Sequence, residues 1–238
     1  MANDPKTSDL EKAAAARASL RFVHDGNIVG LGTGSTAAYA VRFLGEQVRT
    51  GLKIRGIPTS VQTRNLATSV GIPLTTLDEI QHLGLQPIDV TIDGADEFDA
   101  LLRLIKGGGG ALLREKVIAS ASRQVVIIAD SSKQVVVLGK FPLPVEVIPF
   151  AQSLVAERIS ALGATVKLRK DAKENPFVSD EGHHILDCNF GQIPDPPALA
   201  RTLSEMPGIV EHGLFIDLAT VVLVAKGENV TELRRGAI

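Results

Sequence analysis

Cysteine, tryptophan and tyrosine are nearly absent from this chain, whose 238 residues include one Cys, no Trp and one Tyr. Because Cys188 stands alone, no intramolecular disulfide can form. No charge of one sign dominates either, since 25 basic and 27 acidic residues leave a formal net charge of -2. We therefore expect no nucleic acid and no membrane as a partner, and an anionic ligand would need local donors.

Long hydrophobic runs are also missing. The most apolar stretches, 125–129 and 214–225, are too short or too interrupted to span a bilayer. The first ten residues are polar and lack the apolar core of a signal peptide. Hydrophobic residues still make up 45% of the chain, which is enough for a packed core. We expect a soluble, cytoplasmic protein.

Short apolar runs alternate with amphipathic stretches through the first half of the chain. The predicted strands are 27–31, 54–57, 88–92 and 125–129, and the predicted helices between them are 36–48, 60–70 and 111–121. A further helix is expected before the first strand, capped by Ser8 and Glu11 and reaching about Asp25. Strands that alternate with helices predict an α/β fold, with a mostly parallel sheet and helices on both faces.

Three prolines, Pro142, Pro144 and Pro149, predict a break in regular structure near the middle of the chain. We place a domain boundary there, and we expect helices packed on a small antiparallel sheet beyond it. The apolar runs 213–215 and 221–225 are expected to rejoin the first sheet. The predicted domains are a larger one of 1–138 with 209–238 and a smaller one of 139–208.

The first polar loop, Gly32-Thr33-Gly34-Ser35-Thr36, lies between a predicted strand and a predicted helix. Glycines turn backbone amides toward an anion, and the helix N-terminus adds unpaired N–H groups, so we infer a phosphate site. A tight turn with Ser35 as the helix cap is the structural alternative. Dinucleotide and methyl-donor sites are disfavoured, because the third glycine is replaced by Ser35 and 53–60 contains no carboxylate.

The second loop is Asp93-Gly94-Ala95-Asp96-Glu97. Carboxylates at a strand end can accept hydrogen bonds from sugar hydroxyls and move protons, although a solvated acidic turn fits the pattern too. With Asp99 nearby, a metal site is a third reading, since hard cations prefer oxygen ligands. The five histidines are scattered, so we expect no metal.

The third loop begins with Lys106 and continues with Gly107, Gly108, Gly109 and Gly110. Four consecutive glycines are costly in conformational entropy and suit a backbone that lies close to a ligand. Glu115 follows near the start of a helix, where a surface carboxylate favoured by the helix dipole is the alternative. Lys133 follows the strand at 125–129 and could lie on the same edge of the sheet, where parallel strands place their ligands.

These residues together resemble the motif set of the ribose-5-phosphate isomerase A family. The similar motifs, in the same order, are Thr33–Thr36, Asp93–Asp96, Lys106–Gly109 with Glu115, Ser131–Lys133, Phe141–Val147, Asn175–Phe177 and Pro207–Gly208. The resemblance implies a Rossmann-like main domain with a smaller α/β, ferredoxin-like domain. It also implies a homodimer or homotetramer, no cofactor, and a role in the non-oxidative pentose phosphate pathway.

The resemblance further implies an aldose–ketose isomerase that interconverts D-ribose 5-phosphate and D-ribulose 5-phosphate through an enediol. Glu115 would be the base, Lys106 would stabilise the developing oxyanion, and Asp93 and Asp96 would assist ring opening and proton exchange. The implied substrate contacts are Thr33, Gly34, Ser35, Thr36, Asp93, Gly94, Ala95, Asp96, Lys106, Gly107, Gly108, Gly109 and Lys133. A non-catalytic sugar-phosphate sensor and a related isomerase or acyl-carrier transferase remain alternatives.

Overall fold

The computed structural model describes residues 5–84 and 86–235. In chain order the helices are α1 (Pro5–Ser19), α2 (Ser35–Arg49), α3 (Val61–Ser69), α4 (Leu77–Ile80), α5 (Leu112–Ser120), α6 (Gln152–Ala161) and α7 (Pro196–Ser204). The strands are β1 (Ile28–Leu31), β2 (Arg55–Pro58), β3 (Ile88–Gly94), β4 (Glu97–Phe98), β5 (Leu104–Ile105), β6 (Ser122–Asp130), β7 (Leu143–Val147), β8 (Thr165–Leu168), β9 (His184–Asn189), β10 (Ile209–His212), β11 (Leu214–Phe215), β12 (Val221–Lys226) and β13 (Asn229–Arg234).

The chain divides into two compact units. The larger unit comprises Met1–Ala95, Arg114–Gln134 and Asp217–Ile238, and the smaller unit comprises Asp96–Leu113 and Val135–Ile216. The predicted domains, 1–138 with 209–238 and 139–208, differ from these units at 96–113, 135–138 and 209–216. Strand pairing explains much of the difference, because β4, β5, β10 and β11 all pair with strands of the smaller unit. Within the predicted domains, residues 1–4, 85 and 236–238 lie outside the described ranges.

A six-stranded sheet of order β13-β12-β6-β3-β1-β2 organises the larger unit. All neighbouring pairs are parallel except β12 with β13. One face packs in a core that includes Val29, Val90 and Val126, whereas Ile28 and Ile88 pack on the other face with Ile118 of α5. The side chains alternate between faces as expected for strands buried on both sides. This confirms the predicted fold class for the larger unit.

The first helix differs from its prediction. Because α1 already includes Pro5, Ser8 lies inside the helix and the predicted capping box of Ser8 and Glu11 is wrong. Glu11 is buried instead, and its Oε2 accepts hydrogen bonds from the amide and hydroxyl of Ser131 at 3.0 and 2.9 Å. Its Oε1 accepts a bond from the Gly227 amide at 3.0 Å. One carboxylate thus joins α1 to the ends of β6 and β12.

A four-stranded antiparallel sheet of order β10-β7-β9-β8 organises the smaller unit. With α6 after β7 and α7 after β9, the chain order is β-α-β-β-α-β, which is the ferredoxin-like arrangement that we expected. The break predicted at the prolines is wrong, because Pro144 lies within β7. Its carbonyl still accepts a bond from the Gly213 amide at 2.8 Å, so the missing N–H does not prevent pairing on that side.

A separate three-stranded antiparallel sheet of order β11-β5-β4 completes the smaller unit. Leu214 pairs with Ile105, so the prediction that 213–215 rejoins the first sheet is wrong. The same prediction for 221–225 is confirmed, since β12 pairs with β6 in the parallel sheet. In the described part of the chain, the helices are too short or too polar to cross a bilayer.

Candidate active site

The turn after β1 leaves the N-terminus of α2 open. Gly34 is the N-cap residue with a φ of +105°, and no side chain caps the first turn of the helix. The first amides of a helix have no acceptor within the helix, and their dipole favours an anion. Ser35 is exposed and Thr36 is half-buried beside these amides. The turn therefore has the geometry of an anion site.

Thr33 lies inside a cluster of hydroxyl groups. Its Oγ1 lies 2.8 Å from Oγ1 of Thr59, 2.8 Å from Oγ of Ser60 and 3.1 Å from Oγ1 of Thr63. Thr63 in turn donates to the carbonyl of Gly32 at 2.9 Å. The Thr33 hydroxyl thus holds the turn in place, and its direct contact with a ligand stays a prediction.

Asp93 joins the end of β3 to the turn after β1. Its Oδ1 accepts hydrogen bonds from the Thr33 amide at 3.1 Å and the Gly94 amide at 2.7 Å. A Cβ at Gly32 would lie 2.1 Å from this oxygen, so only glycine fits there. A Cβ at Gly94 would lie 3.9 Å from Cβ of Thr36, so the two loops are neighbours. Ala95, the next residue, is half-buried.

Lys133 lies in a short 3-10 helix, Ser131–Lys133, directly after β6. Its side chain is half-buried. Because β1, β3 and β6 are adjacent and parallel, the loops after them emerge at one edge of the sheet. The prediction that Gly32–Thr36, Asp93 and Lys133 share a sheet edge is therefore confirmed, while their contact with substrate is untested.

Glu115 is the fourth residue of α5 and is only 4% exposed. It shares a helix face with Ile118, one turn later, which packs on the sheet. A Cβ at Gly30 would lie 2.7 Å from Cγ2 of Ile118, so this turn of α5 lies over β1. Helix α5 runs antiparallel to the strands and leads into β6, so its first turn lies toward the carboxyl ends of the strands. The surface position that was the alternative for Glu115 is excluded by its burial.

In the smaller unit, Asp96 holds the glycine loop. Its Oδ2 accepts a hydrogen bond from the Gly108 amide at 2.7 Å, and its own amide donates to the Ile105 carbonyl at 2.8 Å. A Cβ at Gly108 would lie 2.5 Å from Oδ1 of Asp96, so a larger residue would separate the two. The acidic loop and the glycine loop are therefore in contact, which their separation in sequence did not show.

Lys106 is 3% exposed, and its amide donates to the Gly213 carbonyl at 2.9 Å. Its Nζ lies 5.4 Å from the centroid of the Phe215 ring, within the range of a cation–π contact. Lys106 follows β5, which belongs to the three-stranded sheet. The third loop therefore does not extend a strand of the parallel sheet.

Sequence reasoning missed Arg169. Its Nη1 donates to the carbonyls of Gly107 and Gly108 at 2.9 and 3.1 Å, and its Nε donates to Oδ2 of Asp187 at 3.0 Å. No motif near Arg169 marks this role, because its partners lie about 60 residues earlier in the chain. Only the pairing of β8 with β9 places the guanidinium and the carboxylate together.

Asp99, the additional carboxylate in the metal reading, is buried and pairs with Arg103, whose Nε lies 2.6 Å from its Oδ2. Its Oδ1 accepts hydrogen bonds from the amides of Leu101 and Arg103, each at 3.0 Å. Among residues 5–84 and 86–235, no three His, Cys, Asp or Glu side chains cluster as metal ligands would. Asp99 thus stabilises the turn between β4 and β5.

Comparisons with known proteins agree on one family. Residues 55–229 match the family model described as ribose 5-phosphate isomerase A (phosphoriboisomerase A). The ribose-5-phosphate isomerase A of Parvibaculum lavamentivorans is 53% identical over 94% of this chain and 98% of its own length. The protein of the same name from Bradyrhizobium diazoefficiens is 52% identical over 95% of each chain.

Solved structures are similar over the same extent. A D-ribose-5-phosphate isomerase in complex with phospho-erythronic acid has a TM-score of 0.91 and 40% identity, covering 96% of this chain and 99% of its own. Ribose 5-phosphate isomerase A from Methanocaldococcus jannaschii has a TM-score of 0.88 and 41% identity, covering 95% and 98%. The similarity therefore extends over both units.

Proposed function

The chain belongs to the ribose 5-phosphate isomerase A family, and from this premise we propose how its own residues carry out the reaction. It is an aldose–ketose isomerase that interconverts D-ribose 5-phosphate and D-ribulose 5-phosphate in the non-oxidative pentose phosphate pathway. The observation that carries this conclusion is the whole-length similarity to proteins of that name, together with the retention of every motif of the family named above.

The substrate phosphate is assigned to the turn after β1. The open N-terminus of α2 supports this assignment, because the amides after Gly34 and the hydroxyls of Ser35 and Thr36 are donors beside a favourable dipole. Lys133 adds a positive charge at the same sheet edge. Binding energy from the phosphate is remote from the reacting carbons and helps to hold them in place.

Proton transfer between C2 and C1 is assigned to Glu115. The reaction needs a base that removes a carbon-bound proton and returns it to the neighbouring carbon of an enediol. Its burial in the first turn of α5 supports this role, because a carboxylate shielded from bulk water keeps the abstracted proton for return. Lys106 is assigned to the developing enediolate oxygen, where a buried ammonium is most effective.

Asp93 and Asp96 are assigned to ring opening and to proton exchange at the sugar oxygens. Both carboxylates also accept amide hydrogen bonds from loops proposed to bind substrate, Asp93 from Thr33 and Asp96 from Gly108. Each aspartate therefore has a positioning effect in addition to its proposed chemistry. Gly94, Ala95, Gly107 and Gly109 complete the proposed contacts, since their small size lets the substrate approach the backbone.

Incubating the protein with ribose 5-phosphate and measuring the ketose that forms tests the activity directly. Glu115→Gln should lower kcat by about 10²–10⁴-fold and leave the affinity for phospho-erythronic acid largely unchanged, because only proton transfer is removed. Glu157→Gln is the matched control, as Glu157 is exposed on α6. Near-normal turnover of Glu115→Gln would refute its role as the base, and wild-type protein that binds the sugar phosphate without turnover would indicate a sensor.

We also propose a homodimer or homotetramer in the cytoplasm. An apolar surface in the smaller unit supports self-association, since the side chains of Phe150 and Leu154 are 99% and 50% exposed. The single, buried cysteine suits a reducing compartment. Light scattering coupled to size-exclusion chromatography measures the assembly, and a monomer at micromolar concentration would contradict it.

A further inference from the structure

We propose that Arg169 is a positioning residue that fixes the orientation of the peptide groups in the loop Lys106–Gly110, and thereby the donors that this loop offers to substrate. The proposal builds on the function assigned above, and nothing in the sequence motifs points to Arg169. The contacts that support the proposal all lie within the smaller unit.

The guanidinium of Arg169 determines where two carbonyls of the loop point. Its Nη1 donates to the carbonyl oxygens of Gly107 and Gly108 at 2.9 and 3.1 Å. In a planar trans peptide the N–H points opposite to the C=O. The amides of Gly108 and Gly109 therefore face away from Arg169. The Gly108 amide donates to Asp96 at 2.7 Å, which agrees with this orientation.

Arg169 is itself held from several directions. Its backbone amide donates to the Ile185 carbonyl at 2.8 Å, and its carbonyl accepts from the Phe177 amide at 2.9 Å. Asp187 accepts from two of its guanidinium nitrogens, and the Arg169 side chain is only 14% exposed. A planar guanidinium can make these bonds simultaneously, whereas a lysine ammonium lacks the fork geometry.

Phe177 packs against Gly110 at the end of the loop. The Arg169 Cζ lies 5.8 Å from the centroid of the Phe177 ring. A Cβ at Gly110, whose φ is +79°, would lie 2.4 Å from Cε1 of the same ring. Glycine at this position thus lets the ring lie against the loop. The four-glycine run is explained in part by Phe177, which packs on it from the segment between β8 and β9.

Free glycine peptides sample many orientations, so a loop of four glycines needs external contacts to keep one of them. A guanidinium bound to consecutive carbonyls also polarises those peptide groups and strengthens their N–H groups as donors. In the proposed reaction the Gly109 amide and the adjacent Lys106 face the sugar, whereas the Gly108 amide holds Asp96. Loss of Arg169 should therefore affect turnover as well as binding.

Arg169→Ala and Arg169→Lys test this proposal, with Arg158→Ala as the matched control, because Arg158 is exposed on α6. We expect kcat/KM for ribose 5-phosphate to fall by about 10–100-fold in both Arg169 variants, as expected for hydrogen bonds to a charged group, with kcat lowered as well as KM raised. Millimolar guanidinium should restore part of the activity of Arg169→Ala and leave the wild type unchanged.

Hydrogen–deuterium exchange gives a readout independent of activity. Amide exchange in 106–111 should accelerate in Arg169→Ala, slow again with added guanidinium, and match the wild type in Arg158→Ala. Unchanged kcat/KM would overturn the proposal, and so would unchanged exchange in 106–111. If the wild type lacked isomerase activity, the proposed function would fail, while the exchange experiment would still decide whether Arg169 orders the loop.

Discussion

Replacing Gly32 with alanine tests whether Asp93 and the turn after β1 pack as one structure. A Cβ at Gly32 would lie 2.1 Å from Oδ1 of Asp93 and 2.6 Å from its Cα. Rotation of the Asp93 side chain cannot relieve the second of these contacts, because it involves the backbone of β3. The turn and the end of β3 must therefore separate, which breaks the hydrogen bond from the Thr33 amide to Asp93.

The size of the effect follows from two contributions. Overpacking a well-packed region costs about 1–3 kcal/mol. A hydrogen bond to a charged group contributes about 1.5–3 kcal/mol. We therefore expect Gly32→Ala to lower the free energy of unfolding by about 2.5–6 kcal/mol. The proposed phosphate site should be distorted as well, with a higher KM for ribose 5-phosphate.

Urea unfolding followed by far-ultraviolet circular dichroism measures the change, and Gly71→Ala provides the control. Gly71 has a φ of +83° with no atom within 4 Å of an added Cβ, so alanine there adds only backbone strain of about 1–2 kcal/mol. A loss in Gly32→Ala no larger than that in Gly71→Ala would refute the reasoning from close packing.

Two further predictions concern a buried carboxylate and metal dependence. Burial alone would raise the pKa of Glu11, but hydrogen bonds from Gly227 and Ser131 and the charge of Lys226 together hold it below its ordinary value of 4.5. Glu11→Gln should therefore reduce the free energy of unfolding by about 1–3 kcal/mol at pH 7. The difference from the wild type should shrink as the pH falls below 4.5, because the wild type loses this stabilisation when Glu11 is protonated. Urea unfolding measures this difference, with Glu46→Gln as the control variant. A difference in unfolding free energy that does not change with pH would contradict this account. Isomerase activity should survive exhaustive dialysis against EDTA, since the proposed chemistry uses carboxylates and an ammonium group. Activity that disappears with EDTA and returns with one divalent ion would indicate that the acidic loop binds a metal ion.

Much of the larger unit could be predicted because its signals are local. Apolar runs identified β1, β3 and β6, and the order of strands and helices implied the parallel sheet that places their loops at one edge. The glycines of 32–36 indicated a turn that presents backbone amides, and the structure adds that Gly32 leaves room for Asp93. These features lie close to one another in sequence or follow from the regular alternation of strands and helices.

Features that depend on distant partners were not predictable. Glu11 looked like a capping residue because Ser8 precedes it, whereas its partners are Ser131 and Gly227. Pro144 signalled a break, yet it lies within β7 and its carbonyl accepts a hydrogen bond from the amide of Gly213, about 70 residues later. Arg169 lies in no recognisable motif, because its partners in the loop are backbone carbonyls, which every residue has. The contact of Asp96 with Gly108 likewise appears only when the loop is folded.

The contacts of Glu11 also bear on the order in which the chain can fold during synthesis. Helix α1 is synthesised before the strands of the parallel sheet, but the Gly227 amide that satisfies its buried carboxylate is made more than 200 residues later. Until β12 has been synthesised, β6 has a free edge of apolar strand, which is prone to pair with other chains. A nascent chain therefore carries this aggregation risk from the synthesis of β6 until that of β12, and chaperone dependence should be greatest just before β12 emerges.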